Sequence, residues 1–257
     1  MITSASNPEV RAVAALRDRS ERELTDLCLV EGEVEIRRAL QAGIGMETLF
    51  VREGVSTSLV DQVTRVVTLS NRAFERIAYG RNGVVAVARR PHFELGNLAL
   101  PKPELLLIVE GLEKPGNLGA ILRTADAVGA GVVAASPVTD LTNPNVIRAS
   151  LGTVFTVPLA AASTNEVIGF LGERNISLAV AVVKDGKPPW QVDLTNPVAV
   201  AIGSEDRGLS PELSGAADLA VSLPMTGGAD SLNASVTAAV MLYESFRQRT
   251  LRNPLDP

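Results

Sequence analysis

The sequence predicts an α/β protein. Short apolar runs rich in valine and leucine alternate with segments in which apolar residues recur at helical spacing, a pattern typical of strands joined by helices. Aromatic residues make up only 4% of the chain and the mean hydropathy is +0.20, which favours a large aliphatic core. At 257 residues the chain is long enough for one large domain or two ordinary ones.

The order of predicted elements divides the chain into two domains joined by a linker. Residues 1–92 alternate strands and helices at the size of a small α/β domain, beginning with a charged helix predicted over residues 8–27. A proline-containing stretch with little periodicity follows, and we place the linker at residues 93–103. Residues 104–257 form the second predicted domain. Its strands are near-continuous apolar runs, which indicates a buried parallel sheet.

Cysteine and histidine are too scarce for several kinds of chemistry. Cys28 is the only cysteine and His92 the only histidine. An internal disulfide is therefore excluded, and a single thiol fits a reducing, cytoplasmic compartment. One Cys and one His supply neither a conventional zinc site nor a Ser-His or Cys-His nucleophile, so we expect no metal. The N-terminus lacks the apolar core of a signal peptide, and no stretch approaches the roughly 18 apolar residues of a membrane span.

Charge is unevenly divided between the two predicted domains. The chain has a net charge of −5, yet residues 1–92 hold 13 arginines, no lysine and 12 acidic residues, which leaves +1. The remainder carries −6, with 11 basic and 17 acidic residues. Arginine presents a planar fork of donors that suits phosphate. The first domain is therefore the candidate for binding a phosphate-bearing partner, although a solvated charged face is the alternative interpretation.

The loop after the strand at residues 105–111 is the first candidate for a functional site. Pro115 and Gly116 mark the loop, Asn117 is the predicted N-cap of the helix that follows, and Arg123 lies about two turns along that helix. Open α/β sheets hold their ligands in loops at the carboxyl ends of parallel strands. The alternative is a structural turn with a capping Asn and a surface Arg.

Two further junctions between a strand and a loop have the same design. Residues 203–208, GSEDRG, follow a buried strand and carry a glycine at each end, which lets their backbone approach a ligand closely. Residues 231–233, SLN, lie between a glycine-rich loop and the last helix, where backbone N–H groups are free. Each loop alone is more often a capped turn. A dinucleotide-binding fold fits poorly, because the full G-x-G-x-x-G pattern is absent.

Several segments of the chain resemble those of a known family. NLGAILRTA (117–125), IGSEDRG (202–208) and LPMTGGADSLNASVTAA (223–239) are similar, in order and spacing, to the three signature motifs of the SpoU (TrmH-like) RNA 2′-O-ribose methyltransferases of the SPOUT superfamily. Residues 143–158 resemble the family's connecting segment. The N-terminal part resembles the small substrate-binding domain that many members carry. The resemblance covers nearly the whole chain.

This resemblance implies a fold and an assembly. It implies a C-terminal parallel-sheet SPOUT methyltransferase domain with a deep trefoil knot, preceded by a small α/β, ribosomal-protein L30e-like, substrate-binding domain. It also implies an obligate homodimer, in which Asn117 and Arg123 act near a neighbouring subunit's cofactor site. The apolar last helix, at residues 234–246, is a candidate for part of the interface between the two subunits.

The resemblance also implies a cofactor and a set of site residues. The cofactor is S-adenosylmethionine, bound in a bent form by the knot loops through Ile202, Gly203, Ser204, Glu205, Gly208, Leu223, Pro224, Met225, Ser231, Leu232 and Asn233. The residues assigned to catalysis are Asn117, Arg123, Glu205, Ser231 and Asn233. The family's arginine is often proposed to assist deprotonation of the ribose. Because an arginine in a protein stays protonated, we expect Arg123 to hold the substrate phosphate and to stabilise the developing alkoxide charge instead.

The expected substrate is RNA. The first domain is the expected RNA reader, through Arg11, Arg17, Arg19, Arg22 and Arg81, with Arg148 from the second domain. We predict S-adenosylmethionine-dependent methylation of a ribose 2′-hydroxyl, with ribosomal RNA of the 23S type favoured over tRNA by the two-domain layout. A non-catalytic RNA-binding or ribosome-assembly protein on the same fold is the second hypothesis, and a small-molecule-binding α/β enzyme is a remote third. The sequence leaves open which nucleotide is modified and whether the modification serves ribosome maturation or antibiotic resistance.

Overall fold

Two compact units, each with its own β-sheet, make up the chain. The computed structural model describes residues 1–80 and 82–252. The first unit contains residues 1–92 together with 140–156, and the second contains residues 93–139 and the chain from 157 onward. Segment 140–156, which the sequence order places in the second predicted domain, thus packs with the first unit.

The first unit is built on a four-stranded sheet with the order β1-β4-β2-β3. Strand β4 is antiparallel to both β1 and β2, whereas β2 and β3 are parallel. Valines of the first helix pack on Phe50, Phe74 and Ile77 to form the core. The strands are β1 (Leu27–Glu31), β2 (Met46–Arg52), β3 (Val66–Leu69) and β4 (Val84–Arg89), and the helices are α1 (Pro8–Ala15), α2 (Arg19–Thr25), α3 (Glu33–Gln41), α4 (Asn71–Ile77) and, from segment 140–156, α6 (Pro144–Ala149).

The single helix predicted over residues 8–27 is wrong, because two helices, α1 and α2, form there. The chain leaves the helix at Leu16, whose side chain is buried. The guanidinium of Arg22 then donates to the backbone oxygens of Leu16 and Arg17, at 2.9 and 2.7 Å. These two carbonyls are therefore satisfied by a buried side chain instead of by a continuing helix. A single helix over residues 8–27 would place Leu24 on its apolar face, yet Leu24 is 80% exposed.

The second unit contains a six-stranded parallel sheet with the order β10-β8-β9-β5-β6-β7. The prediction of a parallel α/β domain is confirmed, and every residue of β5, β6 and β9 is buried, as expected for strands covered on both faces. The strands are β5 (Leu105–Glu110), β6 (Gly131–Ala135), β7 (Leu159–Ala162), β8 (Ser177–Ala181), β9 (Val198–Ile202) and β10 (Leu219–Val221), and the helices are α5 (Pro115–Val128), α7 (Thr164–Arg174), α8 (Pro211–Gly215) and α9 (Ala234–Arg252).

Several predicted boundaries in the second unit are wrong. The apolar residues of 220–225 predict a strand that runs to Met225, but β10 ends at Val221. The pattern of residues 155–160 predicts a strand from Phe155, but β7 begins only at Leu159. A short 3-10 helix at 153–155 and Pro158, which has no N–H to donate, precede it. Leu98, in the predicted linker, is buried and packs in the core of the second unit.

The sheet order brings several loops to one edge. Strand β9 lies between β8 and β5, and β10 lies beside β8, with all these strands running in the same direction. Their carboxyl ends therefore lead to the same edge of the sheet, where open α/β sheets place their ligands. Helix α9 returns from there and packs on α5. No helix in the described part of the chain is long and apolar enough to cross a membrane.

Candidate functional site

A cavity of about 370 Å³ lies among the loops at the carboxyl edge of the second unit's sheet. Small-molecule sites are commonly clefts of about 300–1,000 Å³ with mostly apolar walls and a few polar groups. The cavity is lined by the ends of β8, β9 and β10, by their following loops and by the first turns of α9: Ala181, Val182, Val183, Ile202, Gly203, Ser204, Glu205, Asp206, Arg207, Gly208, Val221, Leu223, Met225, Asp230, Ser231, Leu232, Ala234, Thr237 and Met241.

The loop after β9 folds back tightly on itself. A Cβ atom added to Gly203 would lie 2.0 Å from the carbonyl carbon of Gly208, a distance that no side chain tolerates. The N–H of Gly208 donates to the backbone oxygen of Ser204 at 2.9 Å, and Gly208 has a φ of +68°. The glycines are thus required because the two ends of this loop pack against each other. The sequence pattern predicted instead that they let the backbone approach a ligand.

A polar cluster centred on Glu205 borders this cavity. Its Oε1 accepts a hydrogen bond from Nδ2 of Asn117 at 2.8 Å and another from Nδ2 of Asn233 at 2.7 Å. Its Oε2 accepts from Nζ of Lys114 at 2.7 Å. The amide of Asn233 also lies 3.2 Å from Oδ1 of Asn117. Because Asn117 lies in the first turn of α5 and Asn233 precedes α9, one carboxylate joins the starts of two packed helices.

The cluster keeps Glu205 ionised. The hydrogen bond from Lys114 lowers the pKa of the Glu205 carboxyl, and the bond from Asn117 acts in the same direction against the effect of burial. The same contact raises the pKa of Lys114. A carboxylate that accepts three side-chain hydrogen bonds is a poor base, so the geometry favours a positioning role for Glu205.

The predicted N-cap role of Asn117 is wrong. Helix α5 begins at Pro115 with Lys114 as its N-cap, and the backbone N–H of Asn117 lies within the first turn, 3.1 Å from the oxygen of Lys114. Proline is common at the first helical position, because its fixed φ suits the helix and it has no N–H to leave unpaired. The side chain of Asn117 is therefore free to bond to Glu205. Asn233, in contrast, does cap α9, since its Oδ1 accepts from the N–H of Ser235 at 2.9 Å.

The structure places the other two predicted catalytic residues outside this cluster. Arg123 lies on an exposed position of α5, and its side chain has no hydrogen bond or ion pair with any described residue. Ser231 lines the cavity but, among the described residues, has no hydrogen-bond partner. Three of the five predicted catalytic residues are thus in direct contact with one another.

Most of the residues predicted to bind the cofactor line the cavity. Pro224 and Asn233 are the two members of that set that do not line it. Sequence reasoning missed the end of β8 at residues 181–183, as well as Thr237 and Met241 of α9. The sequence could have indicated that the end of β8 lines the cavity, because its apolar run ends at the same sheet edge. For Thr237 and Met241 the sequence offers only their helical spacing, which does not predict a place in the cavity wall.

The arginines predicted to bind RNA differ in their surroundings. Arg11 and Arg19 are exposed, whereas Arg17 and Arg148 place their guanidinium carbons 4.3 and 5.4 Å from the ring centroid of Tyr79. Arg81 lies outside the described residues. Both half-buried guanidinium groups are thus held by cation–π contacts with the same ring in the first unit.

The prediction for Arg22 is wrong. Its side chain is 1% exposed and is bonded to Asp140 at 2.6 Å and to two backbone oxygens. No donor of this guanidinium is open to solvent, so Arg22 stabilises the first unit and is not available to RNA.

Metal chemistry finds no support among residues 1–80 and 82–252, where no group of three or more His, Cys, Asp or Glu side chains is placed to hold an ion.

The fold and the site define a class of protein, an α/β enzyme that binds a small ligand in loops at the carboxyl edge of a parallel sheet. The model of the SpoU rRNA Methylase family matches residues 104–243, and that of an MRM3-like substrate binding domain matches residues 7–88. The chain belongs to the SpoU rRNA methylase family and is an RNA ribose 2′-O-methyltransferase that uses S-adenosylmethionine.

Similar proteins span both units. The 23S rRNA (guanosine(2553)-2′-O)-methyltransferase RlmP of Bacillus subtilis is 28% identical, over 94% of this chain and 97% of its own length. The 23S rRNA (uridine(2479)-2′-O)-methyltransferase of Streptomyces viridochromogenes is 31% identical, over 92% and 88%. The crystal structure of the SpoU methyltransferase AviRb from Streptomyces viridochromogenes in complex with AdoMet aligns with a TM-score of 0.88 at 30% identity, over 95% of this chain and 100% of that one.

Proposed function

We propose that the substrate of this methyltransferase is ribosomal RNA of the 23S type. The observation that carries the proposal is the cavity of the second unit, formed by the predicted loops and bordered by the cluster of Asn117, Glu205 and Asn233. Two relatives that span both units are named for 23S rRNA. One is named for a guanosine and the other for a uridine, which supports a catalytic site that recognises the ribose and leaves base choice to other contacts.

The residues of the cavity fit S-adenosylmethionine. Leu223, Met225 and Met241 supply an apolar wall for the adenine ring and the aliphatic carbons, and the carboxylates of Asp206 and Asp230 suit the positive charge of the sulfonium. Backbone of the tight loop at 203–208 completes the wall. S-Adenosylmethionine supplies an electrophilic sulfonium methyl group when bound. The remaining task of the protein is to align a ribose 2′-oxygen and to help remove its proton.

We assign the positioning of the ribose to the polar cluster. Glu205 holds the side-chain amides of Asn117 and Asn233 at fixed distances. The two amides also contact each other, so both are oriented before the substrate arrives. Preorganised polar groups contribute more to alignment than mobile ones, because their entropy is lost on folding. Ser231, which is exposed in the cavity wall, is placed to contact the cofactor or the ribose.

Arg123 takes the role of binding phosphate and stabilising alkoxide charge. It is exposed and unpaired among the described residues, as a side chain awaiting an anionic ligand would be. Arg123→Ala should lower kcat for methyl transfer by about a hundredfold, the scale of losing one oriented charge in an active site, and leave S-adenosylmethionine affinity and Tm unchanged. Arg174→Ala, an exposed arginine on α7, is the matched control and should leave kcat unchanged. Equal activity of Arg123→Ala and the parent would contradict the role.

Assembly as a homodimer is part of the proposal. Val236, Val240 and Tyr243 are exposed on α9 at positions that share one face of the helix. Burying this apolar stripe against a second copy would bring Arg123, on the neighbouring α5, towards the partner. Val240→Asp should shift the molecular mass measured by light scattering from dimer to monomer. A parent that is monomeric at micromolar concentration would contradict the proposal.

The trefoil knot and the cytoplasmic location also remain proposals. Support for the knot comes from the path of the chain, which leaves β9 inside the sheet, forms β10 at its edge and returns as α9 to pack on α5 and β9. Support for the cytoplasm comes from the buried free thiol of Cys28 and from the ribosomal substrate.

The test of the proposed function is methyl transfer to purified RNA. The chain, labelled S-adenosylmethionine and either 23S rRNA or bulk tRNA are incubated, and 2′-O-methylated positions are mapped by reverse-transcription stops. We expect label in one position of 23S rRNA. Label in tRNA alone would overturn the rRNA assignment. No label in either RNA, from a protein that binds the cofactor by calorimetry, would favour a non-catalytic role.

A further inference from the structure

The first unit contains a pocket whose arginines have no partner. Arg11, Arg72 and Arg76, together with residues 3–6, line a pocket of about 380 Å³, here called the three-arginine pocket. All three side chains are exposed. None of them forms a hydrogen bond or an ion pair with any residue in the described part of the chain. Arg72 and Arg76 are absent from the residues that sequence reasoning assigned to RNA.

The walls of the three-arginine pocket are held in place by packing and hydrogen bonds. Helices α1 and α4 pack on each other through the core of the first unit, and Arg72 and Arg76 lie one turn apart on α4. The N-terminal segment is fixed to the start of α4, since Ser70 donates its N–H to Ile2 at 3.0 Å and its hydroxyl to the oxygen of Thr3 at 3.0 Å. The pocket is therefore a fixed feature of the unit.

Other exposed arginines of the same unit are neutralised. Arg37 pairs with Glu33 at 2.6 Å, Arg65 with Glu9 at 2.6 Å, and Arg89 with Glu47 at 2.6 Å. Like charges four residues apart on a helix cost a few tenths of a kcal/mol, so Arg72 and Arg76 destabilise α4 unless an anion binds. In a chain of net charge −5, three converging unpaired arginines thus mark an anion site.

We propose that the three-arginine pocket binds the phosphodiester backbone of the RNA substrate. This inference rests on the proposed function. Guanidinium groups bind phosphate oxygens through two parallel N–H donors. The hydroxyls of Ser4 and Ser6 lie at the same wall, hydrogen-bonded to each other at 2.8 Å, which leaves one O–H of the pair as a neutral donor. Three cations exceed the charge of one phosphodiester, so the pocket suits two or more successive phosphates of a strand. The contact positions the RNA and does not read its bases.

The experiment compares two double variants of the full chain, each of which loses two positive charges. Arg72→Gln/Arg76→Gln removes two unpaired arginines of the pocket, and Arg37→Gln/Arg65→Gln removes two arginines that carboxylates already neutralise. The affinity for 23S rRNA is measured at several salt concentrations, and S-adenosylmethionine affinity is measured by calorimetry as a check on the second unit. Circular dichroism verifies that both variants are folded.

We expect the pocket variant to bind 23S rRNA about tenfold more weakly at low salt. The slope of log K against log salt should fall by about 0.7–0.9 for each phosphate that the variant no longer neutralises. The control variant should keep the parental slope, and both should bind the cofactor as the parent does. Equal affinities and slopes for the two variants would overturn the proposal while the proposed function stands. An unaltered protein that neither binds nor methylates 23S rRNA would defeat the proposed function and the pocket assignment with it.

Free phosphate is the other source of the same chemistry, and an additional arm separates it. Inorganic phosphate replaces chloride at constant ionic strength while thermal stability is recorded. Stabilisation of the parent but not of the pocket variant, combined with unchanged RNA affinity of that variant, would assign the site to a free anion and overturn the RNA assignment.

Discussion

The side-chain amide of Asn233 donates a hydrogen bond to Oε1 of Glu205 at 2.7 Å, although helix α8 and strand β10 separate these residues in the chain. Asn117 donates to the same oxygen at 2.8 Å. Each amide marks the start of a helix, and the two helices pack on each other. A single carboxylate therefore sets the spacing of the loops that border the cavity.

Replacement of Glu205 tests this arrangement. In Glu205→Gln one oxygen becomes an NH₂ group, which cannot accept from Lys114 on one side or from the two asparagines on the other. We expect kcat for methyl transfer to fall at least about tenfold, the usual scale for a positioning contact, with little change in Tm. Glu173→Gln, at an exposed site on α7 that has no partner among the described residues, serves as the control. A parental kcat for Glu205→Gln would contradict the positioning role.

Much of this site was predictable from the sequence, because Asn117, Glu205 and Asn233 each come after a strand whose carboxyl end lies at the same sheet edge. Their mutual hydrogen bonds were not, since they join residues 88, 116 and 28 positions apart and depend on which strands are neighbours. Lys114 was missed for the same reason. Its ion pair with Glu205 is a tertiary contact of an exposed side chain, and no local pattern marks it.

The division into units shows a second limit of sequence reasoning. The chain order assigns residues 140–156 to the second domain, yet the backbone of Gly152 lies so close to α3 that a Cβ atom there would be 2.9 Å from Cα of Glu35. Arg38 also donates to the oxygen of Leu151 at 2.8 Å. Arg22 looked like a surface charge for a related reason, because its partner Asp140 is 118 residues away. Spacing along a helix indicates which face is apolar. It does not predict that Arg22 will be buried by an ion pair with a carboxylate from a distant part of the chain.

Gly203 provides a prediction about the shape of the cavity. Gly203→Ala places a methyl group against the backbone of Gly208, which has no flexible end that can move aside. The loop at 203–208 must open, so we expect a lower Tm and at least about tenfold weaker cofactor binding by calorimetry, consistent with displacing a preformed wall. Gly169→Ala, at an exposed helical site with open space around it, is the matched control. It should raise stability by roughly 0.5–1 kcal/mol. Equal cofactor affinity in the two variants would refute the clash.

Cys28 gives a reporter of unfolding in the first unit. Burial raises the pKa of its thiol to about 12, so the reactive thiolate is scarce and shielded at neutral pH. We expect an aromatic disulfide reagent to label the native protein slowly at mildly alkaline pH and to label it completely in denaturant. The labelling rate should follow the unfolding of the first unit measured by circular dichroism. Rapid labelling of the native protein would show that the thiol is accessible.

The buried pair of Arg22 and Asp140 predicts how the first unit responds to acid. Burial opposes ionisation of Asp140, but hydrogen bonds from the N–H of Thr142 and from Arg22 outweigh it, and the pKa of Asp140 is lowered. A carboxyl with a lowered pKa in the folded state contributes stability above its unfolded pKa, near 3.9, and loses that contribution as the pH falls through the folded value. The free energy of unfolding should therefore fall below about pH 4.

Substitution separates this pair from the other carboxyls. Arg22→Met leaves the buried Asp140 with only the more distant Arg90, at 3.9 Å, and should reduce the free energy of unfolding at neutral pH by about 3 kcal/mol, measured by urea titration. Asp140→Asn should also be less stable and should flatten the decline below pH 4, because the titrating group is gone. Arg37→Gln, which breaks an exposed pair with Glu33, should change stability by about 0.5 kcal/mol or less. If Asp140→Asn keeps the parental acid slope, that slope arises from other carboxyl groups and the lowered pKa of Asp140 does not control acid stability.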